Sequence, residues 1–148
     1  MTSNSGFRMV VEENVPATMR DGTTLYADVY RPDAEGRFPV LLLRLPYGKQ
    51  FISDFGDHEY FVPKGYVVVI QDTRGRFTSE GEFTPLVDEP LDGYDTVEWA
   101  ARLPWSDGKV GTIGQSYLGA TQYLMSWTAP PSLRCQVPVS AAADFHSG

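Results

Sequence analysis

The segment Gly114-Gln115-Ser116-Tyr117-Leu118-Gly119 decides the fold of this chain. A short apolar run that predicts a strand precedes it, and a run that predicts a helix follows it. A serine on a tight strand-to-helix turn lifts its Oγ above the sheet, the arrangement called a nucleophile elbow. Gly114 lets the strand and the helix approach closely. The common spacing is G-x-S-x-G, but here Leu118 takes the place of the second glycine and Gly119 follows it.

Ser116 has two interpretations. As a nucleophile it needs a base within hydrogen-bond reach, because a free serine hydroxyl reacts weakly. As a helix N-cap it would only accept a hydrogen bond from the first turn of the helix, a structural role that serine fills well. The order of strand, serine and helix favours the nucleophile.

Composition narrows the class of protein. The chain has 148 residues, of which 42% are hydrophobic, and this is enough for one domain with a core. A net charge of −7 and the lack of a basic cluster argue against binding to nucleic acid or to an anionic membrane. No signal peptide or membrane span is evident. The one cysteine, Cys135, fits a reducing cytoplasm and is predicted to be a small core residue.

The predicted elements alternate after an initial hairpin. Strand-like runs at 9–15 and 23–30 flank an Asp-Gly turn, which is a hairpin signal. The apolar runs at 40–45 and 66–71 are typical of parallel strands that are buried on both faces. The remaining predictions are a short covering helix within 52–64, a loop at 72–90, a helix at 88–103, a strand at 109–113, a helix at 117–127 and a strand at 135–141.

This order predicts an α/β fold in which an antiparallel hairpin leads into a mostly parallel sheet covered on both faces. Sites in such sheets lie beyond the carboxyl ends of the strands. One rim should therefore carry the chemically interesting segments, namely Tyr47, 72–76, 116–117 and 144–146.

Acyl transfer also needs donors for the tetrahedral oxyanion. The backbone N–H of Tyr117, next to Ser116, is one candidate. The second donor normally comes from the loop after the third strand, here 45–49, where the Tyr47 hydroxyl is the polar group. Alternatively, Tyr47 only caps the core at the sheet edge.

Five motifs together resemble a known family. They are Pro46-Tyr47-x-Lys49, Gly65-Tyr66-x-x-Val69-x-Gln71-Asp72-x-Arg74-Gly75, Ser79-x-Gly81-x-Phe83, Trp105-x-Asp107-Gly108-x-Val110-Gly111 and Gly114-x-Ser116-Tyr117-x-Gly119. From about residue 10 to 145 the chain resembles the N-terminal part of the cocaine-esterase-like serine hydrolases. That family includes X-prolyl dipeptidyl-peptidases and α-amino-acid ester hydrolases.

The resemblance implies an α/β-hydrolase fold and assigns roles to three residues. The family's elbow reads G-x-S-Y-x-G, so the displaced glycine becomes a family feature. Ser116 corresponds to the nucleophile, and the Tyr47 hydroxyl and the Tyr117 N–H correspond to the oxyanion hole. Residues 1–148 are then the N-terminal part of a catalytic domain, without the later strands, the helical cap and the C-terminal jelly roll of the family.

Neither histidine fits the usual base, because the acid and the histidine of this fold come well after the serine in the chain. His58 precedes Ser116 and is predicted to pack in the covering helix or lie at the surface, the alternative being that it lines a substrate pocket. His146 falls on the correct rim but very soon after the serine. Both are kept as candidate substrate-binding residues.

The sequence thus predicts a serine hydrolase that cleaves a small-molecule ester or amide through an acyl-enzyme, without cofactor or metal. The base and the acid are expected from a second chain or a missing C-terminal segment, because the strands that usually carry them come later in the fold. The half-built sheet would also leave an apolar open edge, which a partner would cover. Two alternatives remain, a non-catalytic α/β binding module and a compact hydrolase that uses His146 directly.

Charged residues near the predicted rim have simpler interpretations. Asp72 and Arg74 are predicted to pair with each other near the surface and brace the long loop. The acidic cluster at 88–95 has no metal-ligand spacing and is predicted to be a solvated helix start. It consists of Asp88, Glu89, Asp92 and Asp95.

Overall fold

The computed structural model describes residues 6–53 and 57–144. Within these residues one sheet has six strands in the order β1-β2-β4-β3-β5-β6. The strands are β1 (Met9–Thr18), β2 (Thr24–Pro32), β3 (Phe38–Leu45), β4 (Val67–Asp72), β5 (Ser106–Gln115) and β6 (Leu133–Val139). The helices are α1 (Lys49–Ser53), α2 (Asp57–Phe61), α3 (Glu89–Ala101) and α4 (Tyr117–Ser126), and a 3-10 turn spans Val62–Lys64.

The sheet is antiparallel at one side and parallel elsewhere. β1 pairs with β2 and β2 with β4 in antiparallel fashion. The pairs β4–β3, β3–β5 and β5–β6 are parallel. The carboxyl ends of the four parallel strands therefore meet at one edge, which we call the rim.

Two hydrophobic cores lie on opposite faces of the sheet, because neighbouring residues of a strand point to opposite sides. On one face Val67 and Val69 of β4 pack with Val97 of α3 and Met125 of α4. On the other face Val68 and Ile70 pack with Val62 and with Leu118, the second residue of α4. Burial on both faces explains why the central strands are continuously apolar.

The predicted α/β fold is confirmed, with differences at the ends of elements. The hairpin strand β1 runs to Thr18 rather than to residue 15, and β5 begins at Ser106 rather than 109. The single covering helix predicted within 52–64 is instead α2 and the 3-10 turn, and α1 lies mostly before it. Pro63, within this segment, favours the start of a new turn because its fixed φ suits a helix N-terminus.

Strand β6 ends the sheet among the described residues. Val137 and Val139 are 47% and 44% exposed there. The prediction that Cys135 is a core residue is wrong, because the thiol lies on this outer strand and is exposed. None of the helices described between residues 6 and 144 is both long and apolar enough to span a membrane.

Candidate active site

Ser116 occupies a sharp turn between β5 and α4. Its backbone has φ 57° and ψ −122°, a left-handed conformation that is strained for a residue with a side chain. The residue is exposed, and its Oγ makes no capping hydrogen bond to α4. The N-cap interpretation therefore explains neither the strain nor the position of the hydroxyl. The Ser116 N–H donates to Val139 O at 2.9 Å, which ties the turn to β6.

The two glycines of the elbow are required by close packing. A Cβ on Gly114 would lie 2.4 Å from Leu118 Cβ, and φ at Gly114 is +151°. A Cβ on Gly119 would lie 2.6 Å from Ala141 Cβ and 3.3 Å from Val139 O. Residue 119 must therefore be small, because α4 closely approaches the end of β6 there.

Gly114→Ala is expected to lower the free energy of unfolding by about 1–3 kcal/mol, because the new Cβ overpacks against Leu118. Chemical denaturation measures this. Gly22→Ala is the matched control, since Gly22 also has positive φ but nothing within 4 Å of the new Cβ. Equal losses in the two variants would contradict the packing explanation.

Tyr47 lies on the rim beside the elbow. It lies two residues after the end of β3 and is 47% exposed. Its ring meets the Tyr117 ring edge-on, with centroids 6.2 Å apart and an interplanar angle of 71°. Tyr117 is the first residue of α4, where a backbone N–H has no acceptor within the helix. The two predicted oxyanion donors thus belong to residues in contact with each other.

The Tyr117 side chain is anchored below the rim by Glu89. Its hydroxyl donates to Glu89 Oε1 at 3.1 Å and accepts the Leu86 N–H at 3.2 Å. Burial, reinforced by the negative charge of Glu89, raises the pKa of the Tyr117 hydroxyl. That hydroxyl therefore remains a donor to Glu89 at neutral and moderately alkaline pH.

Glu89 is held in turn by Arg44 of β3. Arg44 Nη1 donates to Glu89 Oε2 at 2.7 Å, and the two side chains are 4% and 6% exposed. Arg44 Nε donates to Gln71 Oε1 at 2.8 Å. The prediction of a solvated acidic cluster is wrong for Glu89 and also for Asp92, which is buried and receives two hydrogen bonds from Arg74. A lone arginine within the apolar strand β3 was the available signal, because a buried cation needs a buried acceptor.

Glu89→Ala is expected to destabilise the chain by about 3–5 kcal/mol, because it leaves the buried Arg44 unpaired. Glu35→Ala, which removes an exposed carboxylate, should change stability by no more than about 0.5 kcal/mol. Urea denaturation measures the free energy of unfolding of both variants. A small decrease for Glu89→Ala would show that the Arg44–Glu89 pair contributes little to stability.

Asp72 is completely buried at the end of β4. Its Oδ2 lies 3.3 Å from Lys49 Nζ, and the same nitrogen lies 3.7 Å from Asp28 Oδ1. The predicted Asp72–Arg74 pair is therefore wrong, since Arg74 binds Asp92 and Asp21 instead. Burial raises the pKa of the Asp28 carboxyl, an effect that the positive charge of Lys49 partly opposes.

Of the two predicted histidines, the structure describes only His58. His58 lies in α2, is 7% exposed and stacks on Tyr30 with ring centroids 4.2 Å apart. Its predicted role in substrate binding stays a prediction, as does that of His146, which lies outside the described residues. Asp144 lies beyond β6 and is exposed. No group of three His, Cys, Asp or Glu side chains that could hold a metal is found in 6–53 and 57–144.

A cavity of about 300 Å³ borders the elbow on the α2 side of the sheet. Most of its described lining is apolar, which suits the nonpolar part of a small ligand. The lining residues are Leu43, Asp57, Ile113, Gly114, Gln115, Leu118 and Val139.

Sheet order, rim and elbow together define an α/β hydrolase. Residues 21–148 match the model of the X-Pro dipeptidyl-peptidase (S15) family, and the chain belongs to that family.

Known relatives extend the comparison. The chain is 46% identical to the cocaine esterase of Rhodococcus sp. (strain MB1 Bresler) over 140 residues, which are 92% of this chain and 24% of that enzyme. It matches a CocE/NonD family hydrolase from Staphylococcus aureus with a TM-score of 0.81 and 33% identity, over 86% of this chain and 27% of the other. It matches an α-amino acid ester hydrolase with a TM-score of 0.80 and 32% identity, over 96% and 27%. The chain thus spans about a quarter of the length of these relatives.

Proposed function

We propose that this chain carries the nucleophile and the oxyanion hole of a serine hydrolase that cleaves small-molecule esters or amides through an acyl-enzyme. Ser116 Oγ attacks the carbonyl carbon while a base takes its proton and later passes it to the leaving alcohol or amine, and the carbonyl oxygen becomes an oxyanion held by the Tyr47 hydroxyl and the Tyr117 N–H. Collapse of this intermediate expels the alcohol or amine and leaves the acyl group on Ser116. Water then releases the acid.

The observation that carries the proposal is the strained, exposed turn at Ser116, with Tyr47 in contact with the next residue. Strain of this kind persists only where the surrounding structure fixes it, and it clusters at active sites. Esters are the first substrate class to test, because the cocaine esterase relative is 46% identical. Amides come second, because the matching family is named for a dipeptidyl-peptidase.

The base and the acid are proposed to come from residues outside 1–148. Among the described residues, the histidine that α2 provides is buried against Tyr30 rather than placed at the elbow. The outer edge of β6 has no partner strand among residues 6–53 and 57–144 and is a suitable place for further strands, which could also cover the exposed Val137 and Val139. We call the chain joined to such a segment the completed enzyme.

The test compares the chain alone with the completed enzyme. The added segment is the chain's own continuation or the part of the Rhodococcus cocaine esterase that follows the matched residues. Hydrolysis of a p-nitrophenyl ester and of an Xaa-Pro p-nitroanilide is measured in parallel. We expect ester hydrolysis by the completed enzyme and none by the chain alone.

Two other results would contradict the proposal. Hydrolysis by the chain alone, lost on His146→Ala, would favour a compact hydrolase. A folded completed enzyme without hydrolysis of either substrate would favour a binding module. Size-exclusion chromatography with light scattering tests the need for a partner separately, since a stable monomer of the chain alone would argue against it.

A further inference from the structure

The turn that carries Tyr47 is held at three backbone points by the last residue of β4 and the segment after it. Thr73 N–H donates to Leu45 O at 3.0 Å, and Arg76 Nε donates to Pro46 O at 2.8 Å. On the other side of Tyr47, the Lys49 N–H donates to Asp72 Oδ1 at 2.7 Å. These bonds fix the residues on both sides of Tyr47.

The Asp72 contact is strengthened by buried charge. Lys49 is 4% exposed, and its Nζ lies 3.3 Å from Asp72 Oδ2 and 2.8 Å from Thr78 Oγ1. Thr78 Oγ1 also donates to Asp72 Oδ2 at 3.0 Å. One carboxylate thus binds both the backbone and the side chain of Lys49, so its removal frees the turn and leaves a buried cation.

The Arg76 contact is of a different kind. Its guanidinium is partly exposed and lies over the rings of Phe77 and Phe83, at 5.3 and 5.2 Å from their centroids. Stacking keeps the planar group pointed at Pro46 O, the carbonyl immediately before Tyr47. Because this side chain is not in the core, its removal should loosen the turn without unfolding the chain.

We propose that Asp72 and Arg76 are positioning residues, which fix the Tyr47 turn so that its hydroxyl projects toward the oxyanion above Ser116. The proposal rests on the function proposed above. A hydrogen-bond donor lowers the barrier only if it already points to where the negative charge develops. Reorienting it during the reaction would cost free energy that offsets the stabilisation of the oxyanion. Neither residue is assigned contact with substrate.

The activity test is a double-mutant cycle in the completed enzyme. Arg76→Ala and Asp72→Asn are each made with Tyr47 present and in the Tyr47→Phe background, and kcat and KM are measured with the p-nitrophenyl ester. With Tyr47 present we expect kcat to fall about 10- to 100-fold and KM to change little. In the Tyr47→Phe background the same changes should alter kcat by less than about twofold, because the donor they position is gone.

Arg31→Ala is the matched control. Arg31 is also partly exposed and ion-paired, to Glu12 at 2.6 Å, but it lies at the end of the antiparallel strand β2, away from the rim. The kcat of the Arg31→Ala variant should stay unchanged. Equal losses of kcat in both backgrounds for Arg76→Ala would overturn the proposal, and so would no loss at all. If Asp72→Asn does not fold, Arg76→Ala decides alone.

Hydrogen exchange tests the same idea without activity. The Lys49 amide should be protected in the completed enzyme and should exchange at least about tenfold faster in Asp72→Asn, because its acceptor is weakened. Unchanged exchange would overturn the role of Asp72 even if the enzyme is active. A second outcome is that the Lys49 amide exchanges faster in Asp72→Asn, but Tyr47→Phe does not change kcat. The hydrogen bonds that hold the turn would then be supported. That result would overturn both the proposed oxyanion donor and the positioning role.

Discussion

Ser116→Ala is expected to abolish ester hydrolysis by the completed enzyme while leaving the fold intact. Loss of the nucleophile should lower kcat by a factor on the order of 10⁵–10⁶, the scale seen when the serine of a serine hydrolase is removed. The side chain is exposed and makes no capping bond, so stability should change by no more than about 0.5 kcal/mol. Steady-state kinetics and urea denaturation of the same preparation measure both.

Ser126→Ala is the control for this experiment. Ser126 is the last residue of α4, and its Oγ donates to Tyr123 O at 2.7 Å, one turn back along the helix. Its loss should leave kcat unchanged. If Ser116→Ala retained more than a few hundredths of the activity, Ser116 would not be the nucleophile.

Tyr47→Phe is expected to lower kcat about 10²- to 10³-fold with little change in KM, because it removes one donor to the oxyanion. The ring and its edge contact with Tyr117 are kept. The substitution therefore separates the hydroxyl from the packing of the residue. The measurement is kcat and KM with the p-nitrophenyl ester.

Tyr60→Phe is the matched control, since Tyr60 is also exposed, at 60%, but lies on α2. An unchanged kcat for Tyr47→Phe would contradict the oxyanion role and favour the alternative in which Tyr47 only covers the sheet edge. A rise in KM alone would indicate that the hydroxyl binds the substrate equally in the ground state and the transition state.

The sequence predicts the sheet well because its evidence is local. Apart from Arg44 in β3 and Gln71 and Asp72 at the end of β4, both runs are apolar, and both strands are buried on their two faces. The hairpin turn at Asp21-Gly22 likewise requires only neighbouring residues. The elbow is also predictable from its sequence. Gly114 and Gly119 must be small because Leu118 and the end of β6 approach them closely.

The ion pairs around the rim could not be predicted in the same way. Arg44 and Glu89 are 45 residues apart, and Lys49 and Asp72 are 23 apart, so only the folded sheet brings them together. Sequence proximity suggested an Asp72–Arg74 pair instead. Arg74 lies in the turn after β4 and binds Asp92 and Asp21, whereas Asp72 at the end of the strand binds Lys49, which is why that prediction failed.

The prediction that Cys135 lies in the core also failed because it needed long-range information. A side chain in a strand is buried only where another element covers its face of the sheet, and strand propensity alone does not show this. β6 has β5 on one side and no strand on the other among residues 6–53 and 57–144. Cys135 is exposed, and its neighbours in β6, Arg134 and Gln136, are polar.

The most direct test of the central claim is labelling with a fluorophosphonate probe, followed by peptide mapping by mass spectrometry. This reagent forms a covalent adduct with an activated serine, so it reports the nucleophile without a choice of substrate. We predict that the completed enzyme carries one adduct, on Ser116, and that Ser116→Ala carries none. An adduct on another serine, or no adduct on a folded completed enzyme, would contradict the claim that the elbow at Ser116 is the catalytic nucleophile.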